Sequence, residues 1–397
     1  MSNGLTIGVD ATTWWNRRGF GRFTRGQLGA MLANPRGHRF VLFTDRDPEP
    51  QMHAPHVEIV RVATSATVTE AAVADGNRSI GDVLAFSRAV SSRSLDIFWF
   101  PAVYSWFPVR SSLPTIVTFH DAIAEHFSDL VMPSWRGRTL WNLKVWLAKR
   151  SARHIATVSE AARAEIIRYL HIPPEKISVI LEAADARFAP VAAPTDRLAA
   201  LHRLGLPLNQ RMILYVGGLA PHKNLAGLVE GFARALAAND FDDLDLVLAG
   251  DPKGDGFHSN VADLHALVKA RGIEGRVHFP GFVPDDILPA LYSDALAVAM
   301  PAFSEGFGLP AAEAIACGTP VIATRGGAVA EVVGKAGLFF DPNDPDEIAT
   351  AIAHVAGDSD ALARLRAECL PRSRELSWTA SADQMIDLLE AQARRSA

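Results

Sequence analysis

A chain of 397 residues, 49% hydrophobic and 21% charged, is too long for one ordinary core and too apolar to be disordered, so about two to three domains are expected. Its two cysteines, Cys317 and Cys369, rule out a disulfide-stapled scaffold and a cysteine-based zinc site, and read as reduced thiols. The net charge of −5 argues against a nucleic-acid partner but is unevenly spread: residues 1–190 carry 22 Lys and Arg against 17 Asp and Glu, and the remainder 17 against 27, as two domains with different partners would.

In chain order, Leu5–Val9, Arg39–Phe43, Ile97–Phe100, Thr115–Thr118 and His154–Val158 read as strands. Amphipathic stretches between them, such as Phe23–Leu32 and Val83–Val90, predict helices. Strand, helix, strand at this spacing predicts βαβ units and a parallel sheet. Pro190, Pro194 and Pro207 then break the pattern, so Ala183–Leu208 reads as a linker with one short polar helix. A second βαβ series follows through Met212–Val216, Leu244–Leu248, Val277–Phe279, Leu296–Ala299, Val321–Ala323 and Gly337–Phe340. After a break at Pro371–Ser377, Trp378–Ala391 predicts a last helix. Two Rossmann-like domains in tandem are expected, with the site in the cleft between them, because open α/β sheets bind ligands beyond the carboxyl ends of their strands. The longest apolar run, Ile97–Val109, is interrupted by Pro101, Tyr104, Ser105 and Pro108, and Met1–Gly4 opens no signal peptide, so a soluble chain is expected.

The sharpest chemical feature is Glu305-Gly-Phe-Gly-Leu-Pro-Ala-Ala-Glu313, which follows a strand and opens a helix. Pro310 fits a first helical turn, and Gly306 and Gly308 allow close backbone approach. The helix N-terminus behind them offers free N–H groups and partial positive charge, a ready site for a diphosphate. Glu313 could bond a ribose hydroxyl, and Glu305 could face a sugar. Lys223 follows a strand and Gly217-Gly218 and precedes a helix, a position suited to phosphate. His120 ends the run Ile116–Phe119 at the carboxyl edge, and Asp121 beside it could cap a helix. Gly19-Phe-Gly21 lacks the third glycine of a dinucleotide fingerprint. Asp45-Arg-Asp47 has the spacing of a metal-binding pair but no third ligand, so no metal is expected and the diphosphate charge falls to Lys223 and a helix N-terminus.

Between Val131 and Arg153 there are six Lys and Arg, no acidic residue, and Trp135, Trp141 and Trp146. Such a helix either lies on an anionic membrane surface or packs its tryptophans into the first domain; the second reading is preferred.

Taken together these motifs resemble the retaining GT-B glycosyltransferases of family GT4. Besides the paired glutamates, the resemblance rests on Tyr215-Val-Gly-Gly-Leu-Ala-Pro-His-Lys-Asn224, Val247-Leu-Ala-Gly250, Val277-His-Phe-Pro-Gly-Phe-Val283, Ala156-Thr-Val-Ser-Glu160, Thr118-Phe-His-Asp121 and Gly19-Phe-Gly-Arg-Phe-Thr24, and covers nearly the whole chain. It implies an acceptor domain over 1–190, a sugar-nucleotide domain over 191–375 and a helix over 376–397 crossing back to the first domain. It also implies transfer of a hexose from a nucleoside diphosphate sugar, with retention, to a hydroxyl of a glycan or lipid-linked acceptor. The reduced cysteines suit a cytoplasmic protein, and the basic stretch 131–153 would be its contact with the inner face of the membrane. Mannose from GDP-mannose is the family-based preference. By the resemblance, Glu305 faces the donor sugar, Glu313 the ribose, Gly306 and Phe307 the sugar hydroxyls, and Gly308 and Leu309 the diphosphate. Phe282 and Val283 lie by the base, Lys223 neutralises the leaving group, His120 touches the sugar, and Gly21 lets the N-terminal loop close over the phosphate. Where the family usually has Arg, this chain has Gly218; a second cation would come from His222, Arg22 or Arg325, or Lys223 acts alone. A sugar-nucleotide epimerase or hydrolase and a non-catalytic sugar-nucleotide-binding protein are the alternatives.

Overall fold

The computed structural model describes residues 4–16, 19–65, 79–131, 134–251 and 261–394. Met1–Asn3, Met132, Pro133 and residues 395–397, which figure in the sequence expectations, lie outside them.

Short apolar runs alternating with amphipathic stretches form two all-parallel sheets. The first contains β1 (Thr6–Asp10), β2 (Arg39–Thr44), β3 (Val57–Arg61), β4 (Ile97–Phe100), β5 (Thr115–Thr118), β6 (His154–Thr157) and β7 (Ile177–Val179), in the order β3-β2-β1-β4-β5-β6-β7. The second contains β8 (Arg211–Val216), β9 (Leu244–Ala249), β10 (Val277–Gly281), β11 (Ala297–Met300), β12 (Val321–Thr324) and β13 (Gly337–Phe340), in the order β10-β9-β8-β11-β12-β13. Central strands such as β4 are apolar at every position because helices cover both faces, and every residue of β4 is buried. Ser79, Ser159 and Asp358 accept hydrogen bonds from the third residue beyond them and so set where their helices start.

In each sheet the strand order reverses once, between β1 and β4 and between β8 and β11. Connections leave to opposite faces there, and a crevice opens at the carboxyl edge.

The chain divides into two compact units, Met1–Glu182 with Ser377–Ala397, and Ala183–Leu376. In the first unit the helix Trp378–Arg394 lies on the helix Gly19–Ala33. Gln27 bonds Ser381 through both its amide nitrogen and its amide oxygen, and Arg36 reaches Asp387 at 2.6 Å. The core of this unit is aromatic: Phe43, Phe86, Phe98, Phe100 and Phe107 form a chain of rings with centroids 4.7 to 5.9 Å apart. The core of the second is mainly aliphatic, built from side chains such as Ile213, Leu228, Leu246, Leu248, Ile322 and Ile348.

Three sequence expectations need correction. Strands β3 and β7 were not legible. Ala183–Leu208 is not a free linker: the helix Pro194–Arg203 packs on the helix Leu288–Asp294, and the Val191 amide donates to Ser293 Oγ at 2.9 Å, so this segment belongs to the second unit. Pro371 does not break the chain but lies inside the helix Ser359–Glu375. The adjacent Arg372 anchors that turn by donating to the Val332 carbonyl at 2.9 Å and the Glu331 carbonyl at 2.6 Å. No helix among the described residues is long and apolar enough to cross a membrane.

Candidate active site

In the second unit, two loops leave the carboxyl edge on either side of the strand-order reversal. After β8, the Gly217 amide donates to the Ala249 carbonyl at 3.0 Å, and the Tyr215 hydroxyl donates to the Gly218 carbonyl, closing the turn. Asn224 then takes a left-handed conformation (φ 54°). Its side-chain amide donates to the Pro301 carbonyl at 3.2 Å and the Pro342 carbonyl at 2.7 Å. The Phe303 amide donates to the His222 carbonyl at 3.1 Å. These bonds join the loop after β8 to the loop after β11. They bring Lys223 Nζ within 2.8 Å of both carboxylate oxygens of Glu305, with the two side chains only 18% and 15% exposed.

Gly306 is half-buried and Phe307 buried. Gly308 then adopts φ 94°, and a Cβ there would stand 2.8 Å from Val329 Cγ2, so both conformation and space require glycine. The helix Leu309–Ala316 starts at once, with Pro310 in its first turn. The amides of Gly308 and Leu309 therefore lead its positive end, where no intrahelical carbonyl faces them.

Glu313 lies on the inner face of this helix, 1% exposed, and accepts the Tyr292 hydroxyl at 2.9 Å. Tyr292 carries no motif or spacing signal in the sequence. At the end of β10, Gly281 (φ 76°) turns the chain, leaving Phe282 half exposed and Val283 buried.

Of the alternatives for a second cation, His222 is disfavoured. Burial, with the charge of Lys223 added, pushes its pKa down to about 3, so the ring is neutral near pH 7. Arg325 follows β12 and already pairs with Glu347 at 2.7 Å. Arg22 belongs to the other unit, half-buried in the helix Gly19–Ala33.

In the first unit, His120 stands just past β5, buried. Its Nε2 lies 2.9 Å from the Pro101 carbonyl and its Nδ1 3.3 Å from Glu182 Oε1. Burial disfavours the charged ring. The hydrogen bond and charge of Glu182, with the Pro101 carbonyl and Asp121, outweigh it and hold His120 above the usual imidazole value. Burial likewise lifts Glu182 above the usual carboxylate range, against the pull of His120. Asp121 Oδ1 accepts the Ile123 amide at 3.0 Å, which makes an Asx turn; Asp121 does not cap the short helix Ile123–His126, whose N-cap is Ala122. Gly21 belongs to the first turn of the helix Gly19–Ala33 rather than to an open loop, and a Cβ there would strike the Asn16 carbonyl at 1.7 Å. Glu182 was missed because a lone acid after an apolar strand carries no spacing signal. Asp47 pairs with Arg61 at 2.6 Å. Among the described residues no three His, Cys, Asp or Glu side chains converge as metal ligands.

The basic stretch forms the helix Trp135–Ser151. Only one of its three tryptophans packs as preferred: Trp141 stacks near Tyr104 and donates to Glu125 at 2.8 Å. Trp135 and Trp146 stay exposed, 69% and 48%, together with Leu140, Leu143 and Leu147.

The fold has solved counterparts. Sucrose-phosphate synthase from Thermosynechococcus elongatus superposes with a TM-score of 0.73 at 22% identity, covering 98% of both chains. Anabaena HepE, solved with UDP and glucose, gives 0.72 at 21% identity, covering 98% of this chain and 100% of that one. The fold is GT-B. Two family models match in succession, Glycosyltransferase Family 4 over residues 19–187 and Glycosyl transferases group 1 over residues 196–369. Among curated relatives, O-antigen chain mannosyltransferase B of Escherichia coli is 35% identical over 60% of this chain and 60% of its own length. D-inositol 3-phosphate glycosyltransferase of Rhodococcus jostii is 30% identical over 73% of this chain and 64% of its own. The chain thus spans about three fifths of the length of these relatives. It belongs to the family 4 glycosyltransferases.

Proposed function

We propose that this protein transfers a hexose, with retained configuration, from a nucleoside diphosphate sugar to a hydroxyl of a glycan or lipid-linked acceptor. The observation that carries this reading is the juxtaposition of Lys223, Glu305 and the Gly308-led helix N-terminus at one strand-order reversal. In the donor-free protein Lys223 and Glu305 neutralise each other. An incoming diphosphate takes over Lys223 and receives the Gly308 and Leu309 amides, which frees Glu305 for the sugar. The second unit would hold the sugar nucleotide, with Phe282 and Val283 by its base and Glu313 by its ribose; the first unit would hold the acceptor. Leaving-group charge is met by Lys223 and the helix end without a metal. His120 offers its Nε2–H to the sugar in place of the Pro101 carbonyl. Mannose from GDP-mannose is the preferred donor, supported by the similarity to the Escherichia coli mannosyltransferase.

Thermal unfolding with GDP, UDP, TDP and ADP, alone and as sugar conjugates, with chelator present, tests the donor; a ligand of the native state alone raises the melting temperature. GDP and GDP-mannose should shift it most. No shift with any of them would sink the reading. Neutral His222 and the engagement of Arg325 by Glu347 give the non-catalytic alternative its support. Saturable binding without turnover across an acceptor panel would favour it.

The exposed apolar residues of the helix Trp135–Ser151, with the exposed Arg136 and Arg150 among them, support a contact with the anionic cytoplasmic face of a membrane, where a lipid-linked acceptor would be met. Cosedimentation with anionic vesicles should weaken with salt and be lost in a W135A/W146A variant. Equal binding to neutral vesicles, or none to anionic ones, would overturn it.

A further inference from the structure

We propose that Glu182 is a positioning residue for His120: it keeps one extra proton on the pair and so holds Nε2 as a hydrogen-bond donor. The inference builds on the reading of His120 as a sugar-facing group, but its geometry stands without any ligand. The Pro101 carbonyl, 2.9 Å from Nε2, can only accept, so Nε2 must carry a hydrogen. Glu182 Oε1, 3.3 Å from Nδ1, is also only an acceptor when ionised. A neutral imidazole and a carboxylate would leave two acceptors facing one N–H. One further proton satisfies both contacts, whether it resides on Nδ1 or on Oε1.

Both side chains are buried, 7% and 3% exposed, so water does not make up a missing bond. The rings of Phe20 and Phe23, from the helix Gly19–Ala33, meet the imidazole edge-on at 5.8 and 4.6 Å and bring no charge. From the stretch after β4, the Pro101 carbonyl meets the ring. The charged groups acting on the ring are Glu182, past β7, and Asp121, whose carboxylate is engaged by the Ile123 amide. Raised values for both partners agree with this arrangement. The sign follows: the proton is held below the raised value and lost as pH climbs through it, and with it the enforced donor at Nε2.

The test is the NMR titration of the His120 ring in the full chain without ligand, assigned by its loss in His120→Gln. The wild-type midpoint should lie above the ordinary imidazole value of about 6.5. In Glu182→Gln the amide can donate to Nδ1, a neutral ring keeps its Nε2–H, and the midpoint should fall by about one pH unit or more. A wild-type midpoint at or below the ordinary value, or the same midpoint in both proteins, would overturn the proposal.

Kinetics with GDP-mannose give the second readout. Glu182→Leu removes the bond to Nδ1 and should lower kcat about 10²-fold, with the donor KM within about twofold. Glu182→Gln should keep most of kcat at pH 7 and lose the alkaline fall in rate. A merely structural Glu182 would lower the melting temperature in both variants and leave the titration and the alkaline limb unmoved. If the wild-type protein consumes no nucleotide sugar, the functional reading fails, while the ring titration still decides the role of Glu182.

Discussion

The two units repeat one strand order and differ in what they set at its carboxyl edge. In the first, an aromatic core supports a buried His120–Glu182 pair that shares a proton. In the second, a mainly aliphatic core supports a partly open Lys223–Glu305 ion pair beside a helix N-terminus. Topology fixes where a ligand can come, because loops diverge only where the strand order reverses. It does not fix the chemistry, which depends on whether water can reach the charges. An ion pair with some exposure can be exchanged for a diphosphate. A buried pair cannot exchange its charges and instead holds a proton.

The largest effect that would break this contrast is at Lys223. Lys223→Ala should weaken nucleoside diphosphate binding about 10- to 100-fold and abolish transfer, read by calorimetry and product analysis. Glu305→Gln should lower turnover about 10²- to 10³-fold yet leave bare diphosphate binding as tight or tighter, since Lys223 is then unopposed. If both variants lose binding equally, the pair is structural rather than exchangeable. Gly308→Val should destabilise the second unit by about 1–3 kcal/mol through its positive φ and Val329, and should weaken diphosphate binding as well.

A smaller test concerns Glu125 in the first unit, which burial raises to about 6 against the pull of the Trp141 hydrogen bond. The fold favours its neutral form, so its contribution to stability is complete at low pH and is lost as pH rises through that value. Glu125→Gln should raise the melting temperature at pH 7.5 by about 2 °C and leave it unchanged at pH 4. The smallest expected effect is at His222. The neutral ring adds no charge, so His222→Gln should leave diphosphate affinity within about twofold across pH 6 to 8.

The parallel α/β architecture was legible because strands buried on both faces must be apolar throughout, as in Ile97–Phe100, while the helices between them keep a polar face. The paired-glutamate string was legible because Gly308, Pro310 and the two acids fall within one loop and one short helix, where local conformation alone sets their spacing. Strand β3 escaped because none of its five residues is fully buried, and β7 because it is only three residues long.

Partnership was what the sequence could not supply. Lys223 and Glu305 are 82 residues apart, and His120 and Glu182 are 62 apart. Nothing in either local sequence encodes the other. The amino-acid order determined that a histidine would stand at a strand end, a lysine and a glutamate in loops that follow strands, and a second glutamate in the helix after one of them. Only the tertiary structure decided that one glutamate neutralises the lysine, that the other is buried behind Tyr292, and that the histidine shares a proton with an acid the sequence did not single out. The physical reason is that charge state and hydrogen-bond partner depend on burial and on side chains distant along the chain, which meet only once the sheets and their edge loops are in place.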